Sequence, residues 1–341
     1  MTKHGNRSLL SPFVVALYQL LCGALCAGTI QAADRYSNPI LVEIFPMNNH
    51  EADQTSPHST IEMIGIGDPA VIFFEDRYYL YATGDNRSYD VYTSPDLVLW
   101  SKGAKIFTSD ESGVWAPDVF YDAGERKFYL YYTVNKRIGV AVADRPDGMF
   151  HDVGPLISHS IDAHLFLDDD GKYYLYYARY PAFGIFVQPM ESPARKKGEP
   201  VQLLVPTARW EQKGLPVTEA PWMLKHNGTY YLLYSGGGAN TADYAIGYAT
   251  AKSPVGPFTK FHGNPLVKRG PGVFGPGHCS VTKDRAGNLW MVYHQKTDGT
   301  RGWERIICLD PLWFDAKGVL HGRATRGTPE PAPVVNNGGL R

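Results

Sequence analysis

Five times along this chain an apolar run, a polar or glycine turn and a second, tyrosine-rich run follow one another: VIFFEDRYYLYA, VFYDAGERKFYLYY, LFLDDDGKYYLYY, MLKHNGTYYLLY and VTKDRAGNLWMVY. A repeat constrains a fold more than any single motif, because each unit must bury its face against the next. With Leu80, Leu130, Leu175, Leu232 and Met291 as anchors, the intervals are 50, 45, 57 and 59 residues, the length of a propeller blade. Each pair of runs reads as a β-hairpin, its turn marked by Glu75-Asp76, Ala123-Gly124, Asp169-Asp170-Gly171, Asn227-Gly228 or Ala286-Gly287. A third strand and a turn rich in Pro and Gly follow each hairpin, as in YDVYTSPDLVLW and YAIGYATAKSPVGPF. Four strands per unit and five units predict an all-β, five-bladed β-propeller over residues 61–328.

Counting back from the anchors places Asp68, Trp115, Asp162, Glu219 and His278 at one equivalent position in the first strand of each unit. The second unit enters this alignment through a turn two residues longer; without that allowance Pro117 or Asp118 would occupy the place. The parallel between Trp115-Ala116-Pro117 and Glu219-Ala220-Pro221 favours Trp115. First strands lie nearest a propeller's axis, so the five side chains should form one ring holding three carboxyl groups. Burying three carboxyl groups is costly unless they are hydrogen-bonded or shifted in pKa, which marks the ring as a functional site. Paired carboxyl groups cleave glycosidic bonds, one as general acid and the other as base or nucleophile, and a third keeps the acid protonated by like-charge repulsion. An aromatic ring such as Trp115 adds a face for a sugar.

The surrounding strings sharpen this: Gly67-Asp68-Pro69-Ala70-Val71, Trp115-Ala116-Pro117-Asp118-Val119, Ser160-Ile161-Asp162, Thr218-Glu219-Ala220-Pro221 and Gly277-His278 occur in this order at the heads of the units. Over about residues 64–322 the chain resembles glycoside hydrolase family 43, five-bladed propellers that cleave arabinose-, xylose- and in some members galactose-containing plant glycans with inversion. The resemblance implies an α-L-arabinofuranosidase-like enzyme with Asp68 as general base, Glu219 as general acid and Asp162 as the residue that raises and orients the acid. It implies that Arg305 holds sugar hydroxyls, with Arg301 its neighbouring candidate, and that His278 lies near a water-coordinated Ca2+ or other cation in the central tunnel. No cofactor is otherwise required. Trp222 and Trp303 are further candidates for the cleft wall, and Asn86 and Arg87 for its rim. Where many members read Ile-Asp-Pro, this chain has Ile161-Asp162-Ala163-His164, which makes His164 an extra candidate pocket residue. The motifs of the related fructose-cleaving propellers are absent from the matching positions.

Composition fits a secreted carbohydrate-active enzyme. The chain carries 33 basic and 34 acidic residues and no Lys/Arg stripe beyond Arg195-Lys196-Lys197, which excludes an electrostatic footprint for nucleic acid. Residues 1–33 have signal-peptide grammar: Lys3, His4 and Arg7, an apolar stretch from Leu9 to Ile30, then Ala32 and Ala33. Pro12 and Gln19 interrupt that stretch and argue against a retained membrane anchor, so a secreted or periplasmic enzyme without membrane attachment is expected. Residues 34–60 read as an extended lead-in and 329–341 as a disordered tail. Asp168-Asp169-Asp170-Gly171 is a hairpin turn rather than a calcium loop, since Lys172 and the lack of a downstream Glu break that pattern. Cys279 and Cys308 would sit two strands apart in the fifth unit, beyond disulfide reach. The expected partner is an arabinose- or xylose-containing glycan; nothing in the chain speaks to its oligomeric state.

Overall fold

The computed structural model describes residues 34–43, 65–300 and 302–335; the expected signal peptide, most of the lead-in and Arg301 lie outside them. Five antiparallel sheets follow one another in chain order. The first blade comprises Gly67–Phe74, Arg77–Thr83, Ser88–Ser94 and Ser101–Thr108. The second comprises Trp115–Asp122, Lys127–Val134, Arg137–Ala143 and His151–Ser158. In the third, Ser160–Leu167, Tyr173–Arg179 and Gly184–Ser192 carry an outer strand split into Arg195–Lys196 and Val201–Leu204. The fourth runs Thr218–His226, Thr229–Gly236, Ala245–Ala251 and Thr259–Lys260, and the fifth Gly277–Lys283, Leu289–Lys296, Arg305–Phe314 and Leu320–Gly322.

Strand alternation explains how the sheets become a ring. Successive side chains of a strand point to opposite faces, so Leu80 packs towards the fifth blade with Val292 and Leu309, while Tyr81 packs towards the second with Val119 and Leu130. The same division recurs between the second and third, third and fourth, and fourth and fifth blades. Five interblade cores close the circle. The tyrosines add a polar lock: Tyr81, Tyr131 and Tyr176 each donate to the carbonyl of a turn proline in the next blade, Pro146, Pro193 and Pro254, at 2.8, 2.7 and 2.7 Å.

The chain ends complete the closure. Arg35–Tyr36 pairs with Glu330–Pro331, and the buried Asp310 carboxylate accepts hydrogen bonds from Asn38, Tyr293 and the Thr325 amide. The tail expected to be disordered from residue 329 is thus ordered to residue 335: its backbone finds partners in Arg35–Tyr36 and, through Val334, in Asp284. Both Cys279 and Cys308 are buried free thiols. Among the described residues no helix is long and apolar enough to cross a membrane.

Candidate active site

In every blade the first strand slips register against the second at one place: between Gly67 and Ala70, Trp115 and Asp118, Ile161 and His164, Glu219 and Trp222, and Gly277 and Ser280. The first residue of each bulge has left-handed backbone: Asp68 (φ 52°), Ala116 (45°), Asp162 (58°), Ala220 (53°) and His278 (48°). Such a backbone costs a non-glycine residue about 1–3 kcal/mol, and a bulge re-aims the side chain it carries. Five repeats of one strained geometry define the true equivalence. Asp68, Asp162 and His278 share a position, whereas Trp115 and Glu219 stand one residue earlier, aligned with Gly67, Ile161 and Gly277. The expected single ring is therefore two adjacent levels. Glu219 was misplaced because the chain from Met223 to its cross-strand partner Leu232 is one residue shorter than the corresponding spans Leu165 to Leu175 and Val281 to Met291. In the second unit it is Ala116, not Trp115, Pro117 or Asp118, that occupies the bulge.

The two glycines of the earlier level make room for side chains from elsewhere. A Cβ on Gly67 would lie 2.3 Å from Cζ of Arg305, and one on Gly277 would lie 2.0 Å from the Tyr244 ring. Through these gaps Arg305 Nη1 reaches Asp68 Oδ1 at 2.6 Å, and the Tyr244 hydroxyl reaches Glu219 Oε1 at 2.8 Å. Thr83 donates to Asp68 Oδ2 at 2.6 Å and itself accepts the Ala116 amide at 2.7 Å. His278 Nδ1 stands 3.2 Å from Asp68 Oδ1, and Asp162 Oδ2 accepts the Ala220 amide at 3.0 Å.

These contacts push the three buried carboxyl groups apart in acidity. Burial by itself would raise Asp68, yet Arg305 and His278 hold it well below the usual carboxylate range. Burial, then the negative charge of Asp162, pushes Glu219 up to about 8. Asp162 rises to about 6, again through burial, with His278 working against the rise and Asp68 adding to it. His278, which burial would discharge, is raised by Asp68 and Asp162. One carboxylate is thus held ionised while another keeps its proton at neutral pH, the division of labour that acid–base cleavage of an acetal requires.

Residues 64–320 match the family model for glycosyl hydrolases family 43. The chain belongs to that family. It is a glycoside hydrolase, and the architecture agrees: a crystal structure of a thermostable family-43 glycoside hydrolase superposes with a TM-score of 0.73 at 35% identity, covering 80% of this chain and 96% of that one. Among curated relatives, a β-D-galactofuranosidase of Aspergillus niger is 29% identical over 74% of this chain and 81% of its own length. An extracellular exo-α-(1→5)-L-arabinofuranosidase of Streptomyces avermitilis is 27% identical over 74% of this chain and 60% of its own.

Not every expected residue stands in the family-43 site. Trp115 is half-buried on its rim, its indole N–H donating to Asn86 Oδ1 at 2.7 Å, while Arg87 holds the neighbouring Asp110 carbonyl. Arg305, expected to hold sugar hydroxyls, has a side chain only 1% exposed and serves first as the charge partner of Asp68; Trp303 stacks over its guanidinium at 5.9 Å. His164 and Trp222 do not face the carboxyl groups. Each lies two residues past the bulge's first residue, where their rings stack at 4.0 Å and His164 Nδ1 meets Asp118 Oδ2 at 3.2 Å; the bulge itself re-aims the strand beyond it. His278 is in the site, its Nδ1 facing Asp68 Oδ1 at 3.2 Å. Among the described residues no group of three or more His, Cys, Asp or Glu is arranged to hold a cation; the Ca2+ expected near His278 is a water-coordinated one.

Four site residues escaped sequence reasoning: Thr83, Ser235, His294 and Tyr244. The first three left a signal. They lie three residues after the anchors Leu80, Leu232 and Met291, opposite Gly67, Glu219 and Gly277, and each accepts the bulge amide of the next blade: Ala116 to Thr83, His278 to Ser235 at 2.8 Å, Asp68 to His294 Nδ1 at 3.2 Å. Burial lowers His294 to about 4, so its ring is neutral and able to accept. Tyr244 opens the fourth unit's third-strand string, YAIGYATAKSPVGPF, but nothing in the repeat marked it as a partner of Glu219.

Proposed function

We propose that this enzyme removes arabinofuranosyl or similar pentosyl groups from plant cell-wall glycans with inversion, Asp68 acting as general base and Glu219 as general acid. The observation that carries the assignment is the contrast between two buried carboxyl groups: Asp68 lies against Arg305 and His278, whereas Glu219 Oε1 meets the Tyr244 hydroxyl. Asp68, ionised, draws a proton from a water that attacks the anomeric carbon as Glu219 Oε2 protonates the departing oxygen. Asp162 keeps the Glu219 proton in place by its charge. Trp115, on the rim, offers its indole face to the sugar.

Proton NMR during hydrolysis of 4-nitrophenyl arabinofuranoside should reveal the first-formed arabinose in the anomer opposite to the substrate; retention would overturn the mechanism. Glu219→Gln should lower kcat on arabino-oligosaccharides by about 10²–10⁴-fold, the usual worth of a general acid, and an undiminished rate would remove Glu219 from the role. The profile of kcat/KM against pH is expected to fall as pH rises through about 8, where Glu219 loses its proton. On the acidic side it should hold until pH drops to the depressed range of Asp68. A profile flat through pH 9 would contradict this.

The Aspergillus niger relative favours a second substrate, a galactofuranosyl unit. Rates on 4-nitrophenyl α-L-arabinofuranoside, β-D-xylopyranoside and β-D-galactofuranoside decide between them. The leader grammar of residues 1–33 and the extracellular Streptomyces relative support secretion, checked by the N-terminus of enzyme recovered outside the cytoplasm.

A further inference from the structure

Tyr244 is wholly buried, lies over Gly277 and stacks on His294 with ring centroids 5.7 Å apart and planes 13° from parallel. Its hydroxyl meets one oxygen of Glu219 and leaves the other alone. The phenol donates this hydrogen bond to Glu219 Oε1. Burial, followed by the charge of Glu219, raises the phenol well above its ordinary value, so it stays a donor whatever the state of the acid.

We propose that Tyr244 is the positioning residue of the acid step, occupying Glu219 Oε1 as a donor so that the transferable proton resides on Oε2, the oxygen left for the departing group. This rests on Glu219 being the general acid. The carbonyl oxygen of a protonated carboxyl group is its better acceptor, so donation from the phenol to Oε1 favours the proton on Oε2 before substrate binds. The same hydrogen bond strengthens as Glu219 becomes a carboxylate, because bonds to a charged acceptor are the stronger ones. Tyr244 therefore makes Glu219 a better acid, offsetting the push from burial and from the carboxyl groups of Asp162 and Asp68; the other charged group facing Glu219, His278, acts in the same direction as Tyr244.

The consequence is selective for leaving group. A sugar departing as an alcohol from the arabinosyl carbon needs the proton on its oxygen, whereas 4-nitrophenolate leaves largely without it. Tyr244→Phe keeps the ring and removes only the hydroxyl. We expect kcat on an arabino-oligosaccharide to fall about tenfold or more, the worth of one hydrogen bond to a charged group, with a change of less than threefold on 4-nitrophenyl arabinofuranoside. The alkaline limb of kcat/KM should move up by about one pH unit. Retained activity on the activated substrate reports that the variant is folded. Equal losses on both substrates, or an unmoved alkaline limb, would overturn the proposal. Glu219→Gln in the same pair of assays separates it from the underlying reading: a leaving-group-selective loss there with none in Tyr244→Phe removes the role of Tyr244 alone, whereas no selective loss in Glu219→Gln removes the acid assignment itself.

Discussion

Asp68→Asn should lower kcat by about 10³-fold on every substrate, activated or not, because attack by water needs the base regardless of the leaving group; a general base is worth about 10²–10⁴-fold. This uniform loss is what distinguishes it from Glu219→Gln. The substitution also leaves Arg305 and His278 facing a neutral amide in a buried site. Removing one partner of a buried ion pair costs about 3–5 kcal/mol, so the variant should melt earlier in urea as well as turn over slowly. Comparable kcat on arabino-oligosaccharide and 4-nitrophenyl substrates, each within threefold of wild type, would exclude Asp68 as the base.

Arg305→Met carries the second large effect and acts through Asp68. The guanidinium is the foremost group that holds Asp68 below its ordinary range against the pull of burial. Without it burial should win ground and the acidic limb of kcat/KM should move towards neutral pH. Stability follows the same linkage. In the native protein the folded pKa of Asp68 is depressed, so its contribution is present above the unfolded value near 3.9 and is lost as pH falls through the folded value. In the variant the sign reverses, because a buried carboxyl group short of a cation prefers to be protonated. The loss of about 3–5 kcal/mol expected at pH 7 should therefore shrink as pH is lowered to 5. Urea melts at the two pH values measure this, and an identical deficit at both, with an unmoved acidic limb, would show that Arg305 does not set the charge of Asp68.

How much of this site could be read from the chain depended on whether a residue belonged to the repeat. Asp68, Asp162 and His278 were found because the hairpin anchors are local and their spacing survives in the sequence. Glu219 was found by motif but set one place wrong, since a span shorter by one residue shifts a count without leaving any other trace. His164 and Trp222 were drawn into the pocket by proximity in sequence to Asp162 and Glu219; past the bulge their rings stack on each other instead, and His164 meets Asp118. Arg305 was recognised as a site residue but not as the partner of Asp68, which is 237 positions away and is reached only because Gly67 has no side chain.

The sequence by itself determined the five hairpins, the alternation that packs each blade on both neighbours and the presence of three carboxyl groups at the heads of strands, because all of these are set by period and by turns within a few residues. Only the tertiary structure decided which carboxyl group stays ionised and which keeps its proton. Acidity in a buried site depends on what closing the ring brings beside each group: Arg305 and His278 against Asp68, Tyr244 and Asp162 against Glu219. Those partners come from other blades or, for Tyr244, from the residue before a different strand of the same blade, where no local pattern records them.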